Sequence, residues 1–351
     1  MELQSCLELR EELFEKLRNK PLYIYGTGSS GEGIYNLLQK KNINIEGFLD
    51  SNQELEGSEK NGKKICHPSN VTNLESCNVI IASWFWRDIE NLLRSLFPKL
   101  APMFYFHYVT EVDDFFIDES EIPELERLSF VLADNKSQDV LKAILSYRST
   151  LCKDFFNTVF DENQYFGEVT ANVDFSHFYD VGAYNGDTVR ALKNNAVTCD
   201  TIHSFEPDPK NYAKLFDTIE SLSGAFAYNV AVGAKAGSLS FAPAANGYAS
   251  KASVDGTLNV EIITLDEFIE SAKYKPSVIK VDVEGMDLDV LKGGLISIRK
   301  YRPSLMISCY HAPRHLHEIP LWIKDNLPDY DIFLRHHRNT SLETVCYAIP
   351  R

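Results

Sequence analysis

Apolar residues follow two spacings along this chain, and each spacing predicts one type of element. Short runs of consecutive apolar residues predict buried strands, whereas apolar residues at every third or fourth position predict amphipathic helices. The chain opens with such a helix, on which Leu3, Leu7, Leu13 and Leu17 share a face. Strands are then predicted at 22–25, 45–49, 78–82 and 103–108, with helices between several of them. This alternation predicts a small parallel sheet covered by helices.

The same alternation returns in the second half of the chain after an interruption. Residues 111–166 are acidic and carry apolar positions at helical spacing, so they predict a helical connector. Further strands are predicted at 177–181, 201–205, 225–230, 277–282 and 304–309, followed by an antiparallel hairpin at 331–335 and 345–349. We therefore predict an α/β chain with a smaller N-terminal domain at 1–110, the connector at 111–166 and a C-terminal domain at 167–351.

The length and amino-acid composition of the chain indicate how many domains it has, which binding partners are disfavoured and in which compartment it is expected. The 351 residues exceed what one core usually serves, which agrees with two domains. Lys and Arg number 35 against 50 Asp and Glu, and a net charge of −15 without a basic patch disfavours nucleic acid as a partner. The seven cysteines have no metal-ligand spacing and predict reduced thiols in a cytoplasmic protein. Neither a signal-peptide pattern nor an apolar run of the roughly 18 residues that span a membrane is present in the sequence.

Candidate chemistry lies where the predicted C-terminal strands end. In an open parallel sheet, ligands bind outside the carboxyl ends of the strands. The first of these strands runs into Asp180, and Gly182 and Gly186 let the backbone turn sharply and approach a ligand before a helix begins. The second strand runs into Glu206, a carboxylate suited to the two hydroxyls of a ribose.

Two polar residues of the same region have a structural explanation. Asp208 directly precedes Pro209, which is typical of an N-cap followed by proline at the first helical position. Thr264 stands three residues before Glu267 and predicts a capping box. We therefore leave both out of the candidate site.

Two further strand ends carry ionisable groups. Along 279–285 the period of two places Lys280, Asp282 and Glu284 on one face of a strand in the middle of the sheet. Three charges there form either a paired structural network or one wall of a site, and their position before Gly285 favours the site. His311 follows the next strand and so lies at the same edge of the sheet. It is either a surface or capping residue or an acid–base group.

Five short segments together resemble one known family. In order they are 180–186 (DVGAYNG), 205–207 (FEP), 229–233 (NVAVG), 264–266 (TLD) and 279–285 (IKVDVEG). This set resembles the FkbM family of S-adenosylmethionine (SAM)-dependent methyltransferases over about residues 170–350. Tyr184 departs from the family's pattern, in which an asparagine commonly follows the Gly-Ala pair. The resemblance implies a class I methyltransferase sheet, which is Rossmann-like, with an additional Rossmann-like domain on its N-terminal side.

The resemblance also implies an activity and a set of cofactor contacts. The activity is O-methyl transfer from SAM, often to sugar hydroxyls of glycans or their precursors. The methionine end of SAM is expected near the glycine loop, the ribose on Glu206 and the adenine just after the third strand. The implied cofactor contacts are Asp180, Gly182, Ala183, Tyr184, Gly186, Glu206, Asn229, Val230 and Asp282.

A sugar hydroxyl is a weak nucleophile and gains from a base that takes its proton. The candidate bases are His311, whose ordinary pKa lies near neutrality, Glu284 and Asp282. Alternatively, these three residues hold Mg²⁺ or another divalent ion that acidifies the hydroxyl. We do not favour the metal, because residues from two strand ends can equally form a hydrogen-bonded acid–base pair.

A second glycine loop lies in the N-terminal domain. Residues 26–31 (GTGSSG) follow a strand and precede a helix, and Asp50 ends the next strand. Three roles are compatible with this motif: glycines that let the helix pack on the strand, binding of a nucleotide or sugar, and NAD binding through Asp50. The domain has too few strands for a full dinucleotide fold, so NAD binding ranks last.

Two groups of residues remain open. Trp84-Phe85-Trp86 follows a predicted strand and serves either as core or interface, or as a platform for a sugar ring. Residues 335–338 (RHHR) lie at the predicted hairpin and either meet an anionic group of the substrate or form a solvated turn.

Functions from three classes are therefore considered. The first is a SAM-dependent O-methyltransferase acting on a sugar hydroxyl of a glycan or nucleotide-sugar precursor. Its rivals are an NAD-dependent oxidoreductase that uses the N-terminal glycine loop and a non-catalytic protein that binds SAM or a nucleotide. The sequence predicts neither the acceptor nor the oligomeric state.

Overall fold

The computed structural model describes residues 3–107, 112–242, 251–252 and 258–351. The elements of its N-terminal part are α1 (Leu3–Arg18), β1 (Leu22–Tyr25), α2 (Ser29–Lys40), β2 (Gly47–Leu49), β3 (Glu59–Lys60), β4 (Lys63–Cys66), β5 (Asn78–Ile81), α3 (Trp86–Leu96) and β6 (Met103–Tyr105). The strands form one sheet in the order β3-β4-β2-β1-β5-β6, parallel except for the β3–β4 pair. The predicted small parallel sheet is confirmed. The β3–β4 pair was not predicted, because its strands are short and carry no periodic apolar pattern.

Two helices, α4 (Ile122–Val131) and α5 (Asn135–Thr150), form the middle of the chain. Asp134 caps α5, since its carboxylate accepts a hydrogen bond of 2.9 Å from the backbone N–H of Ser137. Along α5, Leu141 and Leu145 belong to the C-terminal core, whereas Tyr147 belongs to the N-terminal core. This segment is helical, as predicted, and it touches both sheets.

The C-terminal part contains the larger sheet and a small second one. Its strands are β7 (His177–Val181), β8 (Thr201–Phe205), β9 (Ala225–Tyr228), β10 (Ala231–Val232), β11 (Gly237–Ala242), β12 (Lys251–Ala252), β13 (Leu258–Ile263), β14 (Val278–Val281), β15 (Ser304–Ser308), β16 (Tyr330–His336) and β17 (Thr344–Pro350). Its helices are α6 (Asp187–Asn194), α7 (Pro209–Ile219), α8 (Leu265–Ser271), α9 (Asp287–Gly293), α10 (Leu295–Tyr301) and α11 (His315–Asn326).

The larger sheet has the order β16-β17-β15-β14-β7-β8-β9, with β17 antiparallel to both neighbours. The five predicted strands and the closing hairpin are thus confirmed. The small sheet, in the order β10-β13-β11-β12, was not predicted. Two of its strands span two residues each, which is too short for a recognisable spacing.

The order of strands reverses at β7. The chain adds β8 and β9 on one side of β7 and then returns to add β14 and β15 on the other side. Such a reversal leaves a crevice at the carboxyl ends of the two strands where it occurs. This strand order therefore predicts a crevice at the loops that follow Val181 and Val281.

Like α5, the first helix joins the two cores. On α1, Cys6 and Leu7 pack in the C-terminal core, while Leu13, Phe14 and Leu17 pack in the N-terminal core. The predicted domain boundaries stay a prediction, because α1 serves both halves. Of the helices within the described residues, none is both long and apolar enough to cross a membrane.

The two predicted helix caps are present. The Asp208 carboxylate accepts hydrogen bonds from the backbone N–H groups of Lys210 and Asn211 at the start of α7. Thr264 and Glu267 form a reciprocal capping box at the start of α8. Both residues are therefore structural, as expected.

Residues 335–338 at the hairpin do not all form a solvated turn, which was one of the two roles considered for them. Arg335 is buried and pairs with Asp134 at 2.5 Å, so its guanidinium fastens α5 to β16. His336 and His337 are buried as well, and only Arg338 of the cluster is exposed. Three of the four residues are therefore not part of a solvated turn. Arg335 and His336 lie on β16, and α5 packs against this strand.

Candidate active site

The loop after β7 needs its glycines for two different reasons. Gly182 has a φ of +80°, and a Cβ there would lie 1.9 Å from the carbonyl oxygen of Asp282. Gly186 has a φ of +83° at the start of α6, where a side chain would meet Thr218. Both positions favour glycine, because other residues rarely adopt such a φ. The loop backbone is thereby held close against the end of β14.

The neighbouring residues of this loop connect it to β8. The backbone N–H groups of Gly182 and Ala183 both donate to the carbonyl oxygen of Phe205 at 3.0 Å. Tyr184, which has a φ of 46°, donates its backbone N–H to the Glu206 carboxylate at 2.8 Å. The structure thus brings together the predicted residues of the loop and Glu206 at the ends of two adjacent strands.

Glu206 is buried, and two backbone N–H groups donate to its carboxylate. Oε2 accepts from Tyr184 and Oε1 accepts from the backbone N–H of Asp208 at 2.9 Å. Burial raises the pKa of Glu206 to about 7, although these two hydrogen bonds oppose the rise. An ionised carboxylate has about four acceptor positions, so two remain for a ligand's hydroxyl groups.

Asp180 and Lys280 form a buried ion pair across β7 and β14. Lys280 Nζ lies 3.0 Å from Asp180 Oδ1 and donates to the carbonyl oxygen of Gly182 at 2.7 Å. Burial raises the pKa of Asp180 to about 6. Burial also opposes the charge of Lys280, but Asp180 and Asp282 outweigh it and hold the Lys280 pKa above its usual range. Asp180 Oδ2 is buried and has no hydrogen-bond partner among the described residues, so it can accept from a ligand.

Lys280, Asp282 and Glu284 do not share one face of β14, although the period of two predicted that they would. The strand ends at Val281, and Glu284 has a φ of 53°, so the alternation does not continue to it. Lys280 faces Asp180 and belongs to the structural pair. Asp282 and Glu284 lie in the following loop and face His311 instead. Lys280 therefore agrees with the structural-network alternative, whereas a site role for Asp282 and Glu284 stays a prediction.

His311 lies between carboxylates on both sides of its ring. Nδ1 is 2.8 Å from Asp287 Oδ2, while Nε2 is 3.2 Å from Asp282 Oδ1 and 3.9 Å from Glu284 Oε2. The residue is buried, and so is the Nε2 atom itself. By contrast, the Glu284 side chain is 36% exposed. The Asp282 side chain is 23% exposed, so Glu284 is the most exposed of the three predicted bases.

His311 does not have the pKa near neutrality that was expected of it. Burial opposes the charge on its ring, but Asp287 and Asp282 outweigh it and raise the His311 pKa well above its usual value. His311 is therefore an imidazolium near neutrality and cannot accept a proton there. Hydrogen bonds and charges from His311 and Lys280 overcome burial and lower the pKa of Asp282, whereas burial raises the pKa of Glu284 to about 7. The pKa near neutrality, which the sequence analysis assigned to His311, belongs to Glu284.

Three residues of the cluster offer atoms that could hold a metal ion. One ligand atom each from Asp282, Asp287 and His311 lies within 4.8 Å of the others. This set replaces the predicted Glu284 with Asp287. The oxygens of Asp287 already accept from the backbone N–H groups of Val283 and Gly285 as well as from His311. Because these three bonds use most of the about four acceptor positions of Asp287, the hydrogen-bonded cluster agrees with the acid–base alternative better than with a metal site.

Three residues of the cluster were missed by the sequence analysis. Asp287 is fully buried at the start of α9 and holds His311. The hydroxyls of Tyr310 and Tyr165 donate to the Asp282 carboxylate at 3.2 and 3.5 Å. An acid two residues after Gly285 was a detectable signal for Asp287, since acids favour helix N-termini. Tyr165 comes from the connector, and no local pattern indicates its approach.

The residues predicted near adenine, Asn229 and Val230, follow β9 beside Glu206. The Asn229 side-chain amide donates to the carbonyl oxygens of Glu206 and Pro207 at 2.9 and 3.0 Å. Val230 is half-buried and packs against the core. The Asn229 amide nitrogen thus holds the loop after β8, and cofactor contact by these two residues stays a prediction.

The glycines of the N-terminal loop have a packing role. A Cβ on Gly26 would lie 2.4 Å from the carbonyl oxygen of Ala82, and one on Gly31 would lie 2.0 Å from that of Gly26. Asp50 accepts a hydrogen bond of 2.8 Å from the Thr27 hydroxyl. These contacts agree with the first of the three roles considered for this loop, in which the glycines let helix and strand approach.

The strand order and the crevice define a Rossmann-like α/β protein whose ligand site lies at the ends of β7, β8 and β14. Residues 180–330 match the family model of the methyltransferase FkbM domain, and residues 18–97 match that of the C2185-like N-terminal domain. The match to the methyltransferase FkbM domain over residues 180–330 confirms the resemblance seen in the five sequence segments.

Two known proteins are similar to this chain. The hexuronic acid methyltransferase AglP of Haloferax volcanii is 35% identical over 123 residues, which are 33% of this chain and 48% of that protein. The chain thus matches about half the length of this curated relative. A crystal structure of a methyltransferase FkbM from Methylobacillus flagellatus superposes with a TM-score of 0.71 at 20% identity, covering 98% of both chains. This likeness confirms the predicted fold class.

Proposed function

We propose that this protein is a SAM-dependent O-methyltransferase that acts on a sugar hydroxyl. The observation that carries the proposal is the crevice at the β7–β14 reversal, where Glu206 and Asp180 present acceptors and Glu284 stands beside His311. The FkbM domain match supports methyl transfer. The name of the Haloferax relative supports a hexuronic acid as the class of acceptor.

The residues at the strand ends fit the cofactor. Glu206 keeps two acceptor positions, which match the two hydroxyls of the SAM ribose. Asp180 Oδ2, buried beside the glycine loop, matches the ammonium group of the methionine end. When bound, SAM supplies an electrophilic methyl group on a sulfonium, whose positive charge is lost on transfer to oxygen.

Glu284 is proposed as the base that takes the hydroxyl proton. Its pKa of about 7 leaves a large share of it ionised near neutrality, and its side chain is partly exposed. The His311 imidazolium lies 3.9 Å away and holds Asp282 and Glu284 in place by charge. His311 is therefore proposed as a positioning residue rather than the base.

The proposal is tested by incubating the protein with methyl-labelled SAM and a panel of sugars that includes glucuronic and galacturonic acid and their nucleotide-linked forms. We expect label in a methyl ether of at least one uronic acid. Transfer to no sugar, together with binding of SAM, would reject the acceptor class and leave the cofactor assignment standing. Absence of SAM binding would reject both.

A further inference from the structure

A narrow cleft lies between the N-terminal sheet and the tip of the β16–β17 hairpin, away from the cofactor loop. It is bordered by the carboxyl ends of β5 and β6 on one side and by residues 339–341 on the other. In the N-terminal sheet the strand order reverses between β1 and β5, and parallel sheets bind ligands at the carboxyl ends beside such a reversal. The cleft lies at the same edge of the sheet, at the carboxyl ends of β5 and β6, one strand away from this reversal.

The cleft contains buried polar atoms that lack partners. His107 is 5% exposed, and neither of its ring nitrogens has a hydrogen-bond partner among the described residues. The same holds for Asn339 Oδ1 and Thr340 Oγ1 on the facing hairpin. Buried polar groups are nearly always hydrogen-bonded, so this concentration of unpaired atoms from two separate elements indicates a polar ligand.

The chemistry of these atoms selects the class of ligand. Burial lowers the pKa of His107 to about 4, so its ring is neutral and offers one donor and one acceptor. The amide and the hydroxyl opposite are also neutral. The charged side chain of the lining, Lys153, is paired with Glu90 and Asp154. A neutral ligand with several hydroxyls satisfies this set better than a phosphate does.

An aromatic surface borders the same cleft. The Trp84 ring packs edge-on against His107, with ring centroids 3.9 Å apart, and the residue is 52% exposed. Phe85 beside it is 71% exposed, and Trp86 lines the cleft. Exposed large aromatic residues in a row leave apolar surface in water unless something covers them. The C–H face of a sugar ring is flat and apolar while its edge carries hydroxyls, so one sugar matches both the aromatic rim and the polar cleft.

We propose that this cleft is a carbohydrate-binding site, in which a sugar ring stacks on Trp84 and its hydroxyls bond to His107, Asn339 and Thr340. A second cleft shares Tyr147 and Ser341 with the first and is lined by Tyr310, whose hydroxyl donates to Asp282. The second cleft is thus bordered both by residues of the first cleft and by a residue that contacts the candidate active site. Binding of a sugar at the rim does not depend on methyl transfer.

The test uses saturation-transfer NMR on the full chain with the methyl glycosides of glucose, galactose, mannose and glucuronic acid. We expect saturable binding of at least one glycoside. In Trp84→Ala and in Thr340→Val, which removes a hydroxyl at nearly constant shape, we expect affinity to fall roughly tenfold. Phe130→Ala is the matched control, because it removes an 88% exposed aromatic residue elsewhere, on α4, and should leave binding unchanged.

The glycoside-binding test can succeed or fail independently of the test of the proposed function. Glu206→Gln, which is aimed at the cofactor, should bind the glycosides as the wild type does. Saturable binding lost in both cleft variants but retained in Phe130→Ala and Glu206→Gln supports the proposal. No saturable binding of any of the four glycosides, or equal affinity in Trp84→Ala and wild type, would overturn it.

Discussion

At the scale of single residues, the candidate site depends on how buried charges set one another's pKa. His311 is held protonated by two carboxylates, and this leaves Glu284 as the group that titrates near neutrality. From sequence alone, the ordinary pKa of histidine suggested the reverse. The sequence named His311, Glu284 and Asp282 as candidates but did not indicate their charges, since these depend on Asp287, whose position relative to His311 only the fold defines.

The first prediction concerns the pH dependence of turnover. If Glu284 is the base, its ionised form is the active one, so kcat should fall about tenfold per pH unit below about 7 and level off above it. Glu284→Gln should lower kcat by roughly 10²–10⁴ with little change in SAM affinity. Glu318→Gln, a partly exposed carboxylate on α11, serves as the control. A kcat that keeps rising well above pH 7 would instead assign the base to His311.

The second prediction concerns the charge of His311. In the wild type, its imidazole should stay protonated well above its ordinary pKa of about 6.5, which histidine-selective NMR titration measures directly. Asp287→Asn removes the largest charge that favours the imidazolium, so the His311 pKa should drop. Asp289→Asn, an exposed acid on the same helix, should leave it unchanged. Titration of wild-type His311 near 6.5 would contradict the described charges.

At the scale of elements, the sequence predicted strand ends and helix caps, which depend on residues close together in the chain. It missed contacts between residues that are far apart in the chain. The strand ends at Asp180, Glu206 and Asp282 follow from apolar runs that stop at a polar residue. The caps at Asp208 and Thr264 follow from residue types at fixed spacing. The role of the hairpin cluster was not predicted, because the partner of Arg335 lies on the connector about 200 residues earlier in the chain.

The third prediction concerns the contact between α5 and β16. Asp134 both caps α5 and pairs with the buried Arg335. Asp134→Ala should lower the free energy of unfolding by about 2–4 kcal/mol, since it removes a cap and leaves a buried guanidinium without its carboxylate. Urea unfolding measures the change. In a double-mutant cycle, Asp134→Ala should cost much less in an Arg335→Met background, and strict additivity of the two changes would show that the pair is not coupled.

At the scale of the whole molecule, two Rossmann-like sheets are joined by helices that belong to both cores. α1 and α5 each place apolar residues in both, so the clefts between the sheets have fixed walls. Each sheet reverses its strand order once, and each reversal lies beside a cluster of polar or aromatic residues. In the C-terminal sheet this cluster is the candidate cofactor site, and in the N-terminal sheet it is the aromatic cleft.

The central claim is that the C-terminal crevice binds SAM through the Glu206 carboxylate. Isothermal titration of the wild type with SAM should give saturable binding that weakens as pH falls below about 7, because the ribose hydroxyls donate to the ionised form. Glu206→Gln should bind at least tenfold more weakly at pH 8, while Glu220→Gln, an exposed control at the end of α7, should bind as the wild type does. No binding of SAM by the wild type, or equal affinity in Glu206→Gln, would contradict the account.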